Sequence, residues 1–267
     1  MSAEHPELQP VKIAAARYPS LSGVPVLITG GGSGIGAHLV AAFCEQGARV
    51  AFVDRDADSA AAAEQAAAQH GPRPRFEVVD LTDIAAAQAA IARLADALGP
   101  FRVLVNNAGN DDRLAADQVT PEYWDERMAV NLRHQFFCAQ AVIPGMAAAG
   151  GGSIINMGSN SWMQGAPGLI CYTTAKSAIE GLTRSLAREV GDRRIRVNSI
   201  VPGWILTERQ VSRARRIYPD KFRQYLDRQC LKEFLLPPDV ARMALWLAAE
   251  DSRMVTGQRF IIDGGVV

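Results

Sequence analysis

The chain has no excess of charge. Of its 267 residues, 28 are Lys or Arg and 28 are Asp or Glu. A protein whose main partner is nucleic acid or an anionic membrane carries a basic surplus, so neither partner is expected. Cysteine is scarce: Cys44, Cys138, Cys171 and Cys230 stand far apart with no Cys-x-x-Cys pair. That pattern suits reduced thiols in a cytoplasmic protein rather than a disulfide framework. Four histidines show no ligand spacing, so no metal site is expected. Long apolar runs are missing too. The opening "MSAEHPELQPVKIAAARYPSLSG" has neither a basic flank followed by an apolar stretch nor the length of a span. Residues 1–22 read as an N-terminal arm, and residues 23–267 as a single domain, because no linker or low-complexity segment divides them.

What is present is alternation. Short, nearly continuous apolar runs recur at Val24–Thr29, Arg49–Asp54, Arg75–Asp80, Arg102–Asn107, Ser153–Met157, Arg196–Val201 and Arg259–Asp263. Such runs are the mark of strands covered on both faces. Between them lie Ala-rich segments of helical length that end at Gly, such as "IGAHLVAAFCEQG" and "DIAAAQAAIARLADALG". The expected fold is therefore α/β, a doubly wound parallel sheet of about seven strands flanked by helices. One stretch breaks the pattern: Leu206 to Leu236 is rich in Arg and aromatics and is bounded by Pro202 and Pro237. An insertion of that length reads as a substrate lid.

The first run leads into "TGGGSGIG", Thr29 to Gly36. Glycines at Gly30, Gly34 and Gly36, with Ser33 and Ile35 between them, let a backbone approach a pyrophosphate at the start of a helix. Asp54 closes the second run, 18 residues past Gly36. A carboxylate there accepts hydrogen bonds from the adenosine ribose hydroxyls and repels a 2′-phosphate. Arg55 is the counter-signal, since a guanidinium could pair with that phosphate, but the turn itself offers only Ser33. NAD is favoured over NADP; Asp54 as a plain helix cap is the alternative. Asp80 and Leu81 end the third run where an adenine edge would lie, and Asn107, Ala108 and Gly109 end the fourth, near the nicotinamide ribose.

The chemistry concentrates in "NMGSNSWMQGAPGLICYTTAKSAIEG". Tyr172 and Lys176 are four apart and share a helix face. An unperturbed tyrosine has a pKa of about 10, too high for a base near neutrality. A nearby ammonium and the positive charge of an oxidised nicotinamide are expected to lower it by ~3 units, roughly 4 kcal/mol of differential stabilisation. Ser159, thirteen residues before Tyr172, can hydrogen-bond the reacting oxygen.

From "TGGGSGIG" through "NNAG", Ser159, "YTTAK" and "VPG" to "DGG", essentially its full length, the chain resembles the short-chain dehydrogenase/reductase superfamily. The resemblance implies a Rossmann-type fold in which Tyr172 takes the hydroxyl proton and Ser159 steadies the oxygen. Lys176 would lower the Tyr172 pKa and bind the nicotinamide ribose. Asn131, in "AVNLRH", would hold a water linking Lys176 to solvent. Pro202, Gly203, Ile205 and Thr207 would line the other side of the nicotinamide. Association through the helices carrying Asn131 and Tyr172, commonly as a homotetramer, is implied as well.

A narrower resemblance rests on "NNAGNDDR", "YWDER", "VNLRH", "GSNSW", "YTTAKSAIEG" and "QCLK", which look like the bacterial NAD-dependent aldose 1-dehydrogenases of the D-xylose type. It implies oxidation of the anomeric hydroxyl of a cyclic aldose, a pentose such as D-xylose or L-arabinose, to the lactone. The same motifs would suit another sugar or secondary alcohol, such as L-fucose, a hexose or a polyol. A hydroxyl-rich substrate needs polar partners that the wrong analogue would leave unpaired. Asn110, Asp111 or Asp112, Asn160, Gln164, and Arg209 or Gln229 could supply them, with Trp162 and Trp204 as flat apolar faces. Asp112 with Arg113 as a surface pair, Trp162 as core and Trp124 as helix packing are the plainer readings. A generic carbonyl reductase for an apolar substrate would want aliphatics where "NDDR" stands. A nucleotide-sensing module without turnover would not need an intact Ser159, Tyr172, Lys176 and Asn131.

Overall fold

A computed structural model describes residues 16–217 and 221–267. Most of the expected N-terminal arm, residues 1–15, and the tip of the expected lid, residues 218–220, lie outside the described residues. The arm's remainder packs on the domain, with Leu21 buried and the Tyr18 N–H donating to Gln46 Oε1 at 2.8 Å.

Seven parallel strands form one sheet: β1 (Pro25–Thr29), β2 (Arg49–Asp54), β3 (Arg75–Val78), β4 (Val103–Asn106), β5 (Gly152–Met157), β6 (Ile195–Pro202) and β7 (Arg259–Ile262), in the order β3-β2-β1-β4-β5-β6-β7. The chain reverses its winding direction between β1 and β4, which opens a crevice at the carboxyl ends of the strands, the place where such sheets bind ligands.

Side-chain alternation along the strands builds two cores. Val26 and Ile28 of β1, Val50 and Phe52 of β2, and Val103 and Val105 of β4 point to one face. There they meet helices α1 (Gly34–Glu45), α2 (Ala57–Ala67) and α9 (Pro237–Ala248). Leu27, Ala51, Val53, Leu104, Ile154 and Val197 point to the other face, toward α3 (Ile84–Leu98), α5 (His134–Ala148) and α6 (Ile170–Val190). The expectation of strands covered on both faces holds for β1, β2, β4, β5 and β6, and fails at the edges. In β3 Arg75 and Val78 are exposed, and in β7 Arg259 and Ile261 are. β3 also stops two residues short of Asp80, which sits in the following turn.

The remaining helices carry the site. α4 (Pro121–Met128) is capped by Thr120, whose hydroxyl accepts from the Tyr123 N–H at 3.2 Å. It continues into α5 through one wide turn with π-type bonding, Ala129–Arg133, which the sequence did not announce. Such turns recur at functional sites. Helices α7 (Glu208–Ile217) and α8 (Lys221–Arg228) lie in the segment expected as a lid. No helix among the described residues is long and apolar enough to cross a membrane.

Candidate active site

At the carboxyl ends of β1, β2, β4, β5 and β6 runs a cleft of about 1350 Å³. The end where a nucleotide is expected is built by the turn between β1 and α1. Gly30 has φ +66°, and a Cβ on it would come within 2.9 Å of the Ala108 Cα. At Gly36 a Cβ would fall 1.8 Å from the Gly30 carbonyl oxygen, so only glycine lets α1 start this close to the turn. Ser33 makes no side-chain cap to α1. The first N–H groups of the helix therefore face the cleft, a ready site for phosphate.

Asp54 reaches across this turn, accepting from the Gly32 N–H at 2.8 Å and the Asp56 N–H at 3.1 Å. It is not the cap of α2; that role falls to Asp56, whose Oδ1 accepts from the Ser59 N–H at 2.7 Å. Asp80 accepts from both the backbone N–H and the hydroxyl of Thr82 at 2.8 Å, and these bonds hold its carboxyl below the usual carboxylate range. The Asn107 amide is spent on the scaffold. Its Nδ2 donates to the carbonyls of Thr29 (3.0 Å) and Gly30 (2.9 Å), tying the end of β4 to the Gly-rich turn. All the expected cofactor positions, from Gly30, Ser33, Gly34, Ile35 and Gly36 to Leu81, Ala108, Gly109, Pro202, Gly203, Ile205 and Thr207, line this one cleft.

At its other end Ser159, Tyr172 and Lys176 come together. Ser159 stands close enough to the Tyr172 hydroxyl to draw its pKa down, and its own hydroxyl donates to Ser161 Oγ at 3.0 Å. Lys176 stands 5.6 Å from the Tyr172 ring centroid, with its Nζ donating to the Met157 carbonyl at 2.8 Å. The surroundings that the chain itself supplies work against ionisation of both groups. Desolvation pushes Tyr172 up to about 12, with the Ser159 hydroxyl pulling down and the Asp111 charge pushing up. Burial likewise pushes Lys176 down to about 7. Loss of water on burial is the largest cause of both shifts.

Asn131 lies buried behind the cleft wall in the π-type turn, and its side chain is a brace. Oδ1 accepts from the Asn110 N–H at 2.8 Å and Nδ2 donates to the Arg127 carbonyl at 3.1 Å. Gly109 is what allows this packing: a Cβ there would sit 3.1 Å from Asn131 Oδ1 and 3.3 Å from Lys176 Nζ.

The expected substrate positions divide. Asn110, Asp111, Asn160, Gln164, Trp204 and Arg209 line the cleft. Three others do not. Trp162 turns away and packs under Arg259 of β7, with the guanidinium 5.7 Å from its ring centroid. Gln229 is buried and donates to the carbonyls of Leu231 and Glu233 at 2.7 and 2.8 Å. Asp112 pairs with buried Arg127 at 2.9 Å, not with Arg113. Even the lining residues are engaged: Asn160 Nδ2 donates to Asp263 Oδ2 at 3.0 Å, and Gln164 Nε2 donates to Asn160 Oδ1 at 2.7 Å.

Gln210, Arg213 and Tyr225 were missed. Gln210 donates to Asp111 Oδ2 at 3.0 Å and accepts from Trp204 Nε1 at 3.2 Å, and the Tyr225 hydroxyl accepts from the Trp204 N–H at 2.6 Å. The Arg-rich composition marked this segment as unusual, but only the helical register of α7 shows which side chains face the cleft.

A family model described as enoyl-(acyl carrier protein) reductase matches residues 30–267. The chain is 49% identical to the "Probable galactose dehydrogenase GalD" of Rhizobium meliloti (strain 1021), over 95% of this chain and 99% of that one. To the D-xylose 1-dehydrogenase of Caulobacter vibrioides it is 48% identical, with the same two coverages. Among solved structures, a short-chain type dehydrogenase/reductase from Mycobacterium ulcerans superposes with a TM-score of 0.86 at 29% identity, covering 92% of this chain and 90% of the other.

Proposed function

The chain belongs to the short-chain dehydrogenase/reductase family, and from that premise we propose that it oxidises the anomeric hydroxyl of a cyclic aldose to the aldonolactone with NAD as acceptor. A pentose such as D-xylose or L-arabinose is the favoured substrate. Enzymes of this family use a nicotinamide cofactor, which supplies the acceptor for the hydride leaving C1. In this chain the N–H groups at the start of α1 would hold its pyrophosphate and Asp54 its adenosine ribose. The acidic Asp54, facing a turn without a basic residue, is the ground for choosing NAD.

The single observation that carries the reading is the meeting of Ser159, Tyr172 and Lys176 at one end of this cleft, beside a pocket walled by Asn110, Asp111, Gln164, Arg209 and Gln210. Tyr172 takes the proton from the C1 hydroxyl as the C1–H hydride departs, so two hydrogens leave and a C=O bond forms. Ser159 donates to the same oxygen and holds it against Tyr172. Lys176 and the oxidised nicotinamide are the two cations able to bring Tyr172 down from its resting value. Asn131 keeps the Asn107–Asn110 turn against this wall and would also hold the water linking Lys176 to solvent. Trp204, packed against Phe222 and Tyr225 at 5.3 Å each, offers an apolar wall to the sugar's C–H surface. The near-half identity to a D-xylose and a galactose dehydrogenase supports the same choice.

A panel of pentoses, hexoses, 6-deoxyhexoses and polyols, each with NAD and with NADP, tests the proposal. Highest kcat/KM with an aldose and NAD, with lactone as first product, is the expected result. Turnover confined to polyols or apolar carbonyls would replace it. All four cysteines are free thiols, in keeping with a cytoplasmic enzyme. Met128, Leu132, Phe136, Phe137, Ala178 and Leu182 form a concave apolar patch across α4, α5 and α6, which supports assembly of identical subunits through these helices.

A further inference from the structure

The segment after β7 reaches the cleft through one buried carboxylate. Asp263 is 4% exposed, and four N–H groups converge on it. Those of Gly265 (2.8 Å) and Val266 (3.2 Å) donate to Oδ1, whereas that of Val267 (3.1 Å) and the Asn160 Nδ2 (3.0 Å) donate to Oδ2. Both oxygens serve as acceptors, so Asn160 has to turn its nitrogen toward them. Asn160 is itself 2% exposed, and its backbone N–H donates to the Pro202 carbonyl at 3.0 Å. Its Oδ1 points the other way and accepts from Gln164 Nε2 at 2.7 Å.

Direction is thus handed from one side chain to the next. Gln164 has to offer its nitrogen to Asn160, and its Oε1 has no partner among the described residues. One backbone turn keeps the two amides together, with the Gln164 N–H donating to the Asn160 carbonyl at 3.1 Å. Gln164 is half-buried and lines the cleft, and Asn160 directly follows Ser159.

We propose that Asp263 and Asn160 are positioning residues that hold the Gln164 amide with its carbonyl oxygen toward the substrate, so that Gln164 selects for a sugar hydroxyl that donates to it. The inference deepens the proposed aldose oxidation and rests on it. An amide without a fixed partner can turn over and meet a hydroxyl as donor or as acceptor. Held one way it discriminates, because an analogue that lacks the O–H leaves a half-buried oxygen unpaired.

The test compares kcat/KM for the best aldose with kcat/KM for its mono-deoxy and mono-deoxyfluoro derivatives at each position other than C1. Fluorine keeps much of the size and polarity of a hydroxyl but cannot donate. In the parent enzyme one position should lose about 10- to 100-fold on either replacement. Gln164→Ala should shrink that loss to within about threefold, which identifies the hydroxyl. Asn160→Ala frees the Gln164 amide and should shrink the loss at the same position. Asp263→Asn has a sharper signature. Its oxygen is expected to stay on the Gly265 and Val266 N–H groups and its own N–H to face Asn160, which turns both amides over. Gln164 then offers an N–H, so the fluoro analogue should recover ahead of the deoxy one.

A merely structural role for Asn160 or Asp263 would lower kcat/KM for the sugar and its analogues alike and leave their ratios as in the parent. Unchanged ratios in Asn160→Ala, or in a folded Asp263→Asn, overturn the positioning role. Asn160→Ala leaves the carboxylate its three backbone bonds, so it decides the matter if Asp263→Asn does not fold. If Gln164→Ala relieves no position, the contact with the sugar is overturned. Failure of every aldose to turn over with NAD or NADP is a separate result, and it removes the aldose reading together with this inference.

Discussion

Lys176 Nζ donates to the Met157 carbonyl at 2.8 Å in a wall where the lysine is 2% exposed and, among the described residues, meets no carboxylate partner. Burial lowers its pKa from 10.5 to about 7. The unfolded chain thus holds this proton over pH 7–10.5 while the folded chain releases it, so stability rises with pH across that window. Tyr172 acts oppositely above pH 10, where the unfolded chain loses its proton first and stability falls toward pH 12. Lys176→Met should abolish turnover yet raise stability at pH 7 by on the order of 2 kcal/mol, through loss of a desolvated charge. Urea unfolding at pH 7, 8 and 9 checks it, and the variant should lack the rise seen in the parent.

His134 makes a second pH prediction on the acid side. It is fully buried, neither ring nitrogen closes a well-aligned hydrogen bond, and burial together with Lys176 pushes its pKa from 6.5 to about 3. The stability of the neutral form is complete above pH 6.5 and is lost as pH falls toward 3, at up to about 1.4 kcal/mol per pH unit. His134→Leu fills similar volume without a proton site. Its unfolding free energy should fall less steeply than the parent's between pH 6 and 4.

What the sequence made legible follows from which interactions are local. The central strands were readable because parallel strands buried on both faces leave continuous apolar runs, as in "VLIT" and "VAFV". The edges, β3 and β7, carry fewer buried positions and were drawn too long or too apolar. Ser159, Tyr172 and Lys176 were found because two of them share one helix face and the third sits at a strand end. Most of the expected pocket positions line the cleft, but their side-chain partners had no local signal. Trp162 is only two residues from Asn160, yet it faces Arg259 outside the cleft. The partners of Asp111 lie on α7, a pairing that no local pattern encodes. The desolvation of Tyr172 depends on the whole wall and has no local pattern, whereas the lysine four residues away is visible by spacing.

The two aspartates of "NDDR" should separate experimentally. Asp112 is 48% exposed at its side chain but faces Arg127, which is 6% exposed and has Glu126 as its other acid partner. Asp112→Ala leaves a buried guanidinium half-compensated, and with the solvent-exposed partner discounted, the cost should be about 1–2 kcal/mol. The KM for the sugar should stay within about twofold, since Asp112 does not line the cleft. Thermal unfolding alongside steady-state kinetics reads both quantities, and a large KM effect without a Tm drop would put Asp112 back among the substrate contacts.

The proposed choice of NAD rests on Asp54. Its carboxylate lies across the Gly-rich turn, accepting from Gly32 N–H at 2.8 Å, with Arg55 next in the chain and also lining the cleft. Asp54→Ser removes the charge that repels a 2′-phosphate and leaves Arg55 to attract one. The kcat/KM ratio of NAD to NADP should fall by about 100-fold or more, roughly 2.7 kcal/mol between the two cofactors. Loss of the bond to Gly32 would weaken both cofactors alike, so Asp54→Asn serves as the control: it keeps an acceptor for that N–H while removing the charge. If Asn preserves the preference for NAD as well as Asp does, the discrimination comes from hydrogen bonding to the ribose. If Asn and Ser relax it together, charge repulsion is the cause, and Arg55 should then be needed for the gain with NADP.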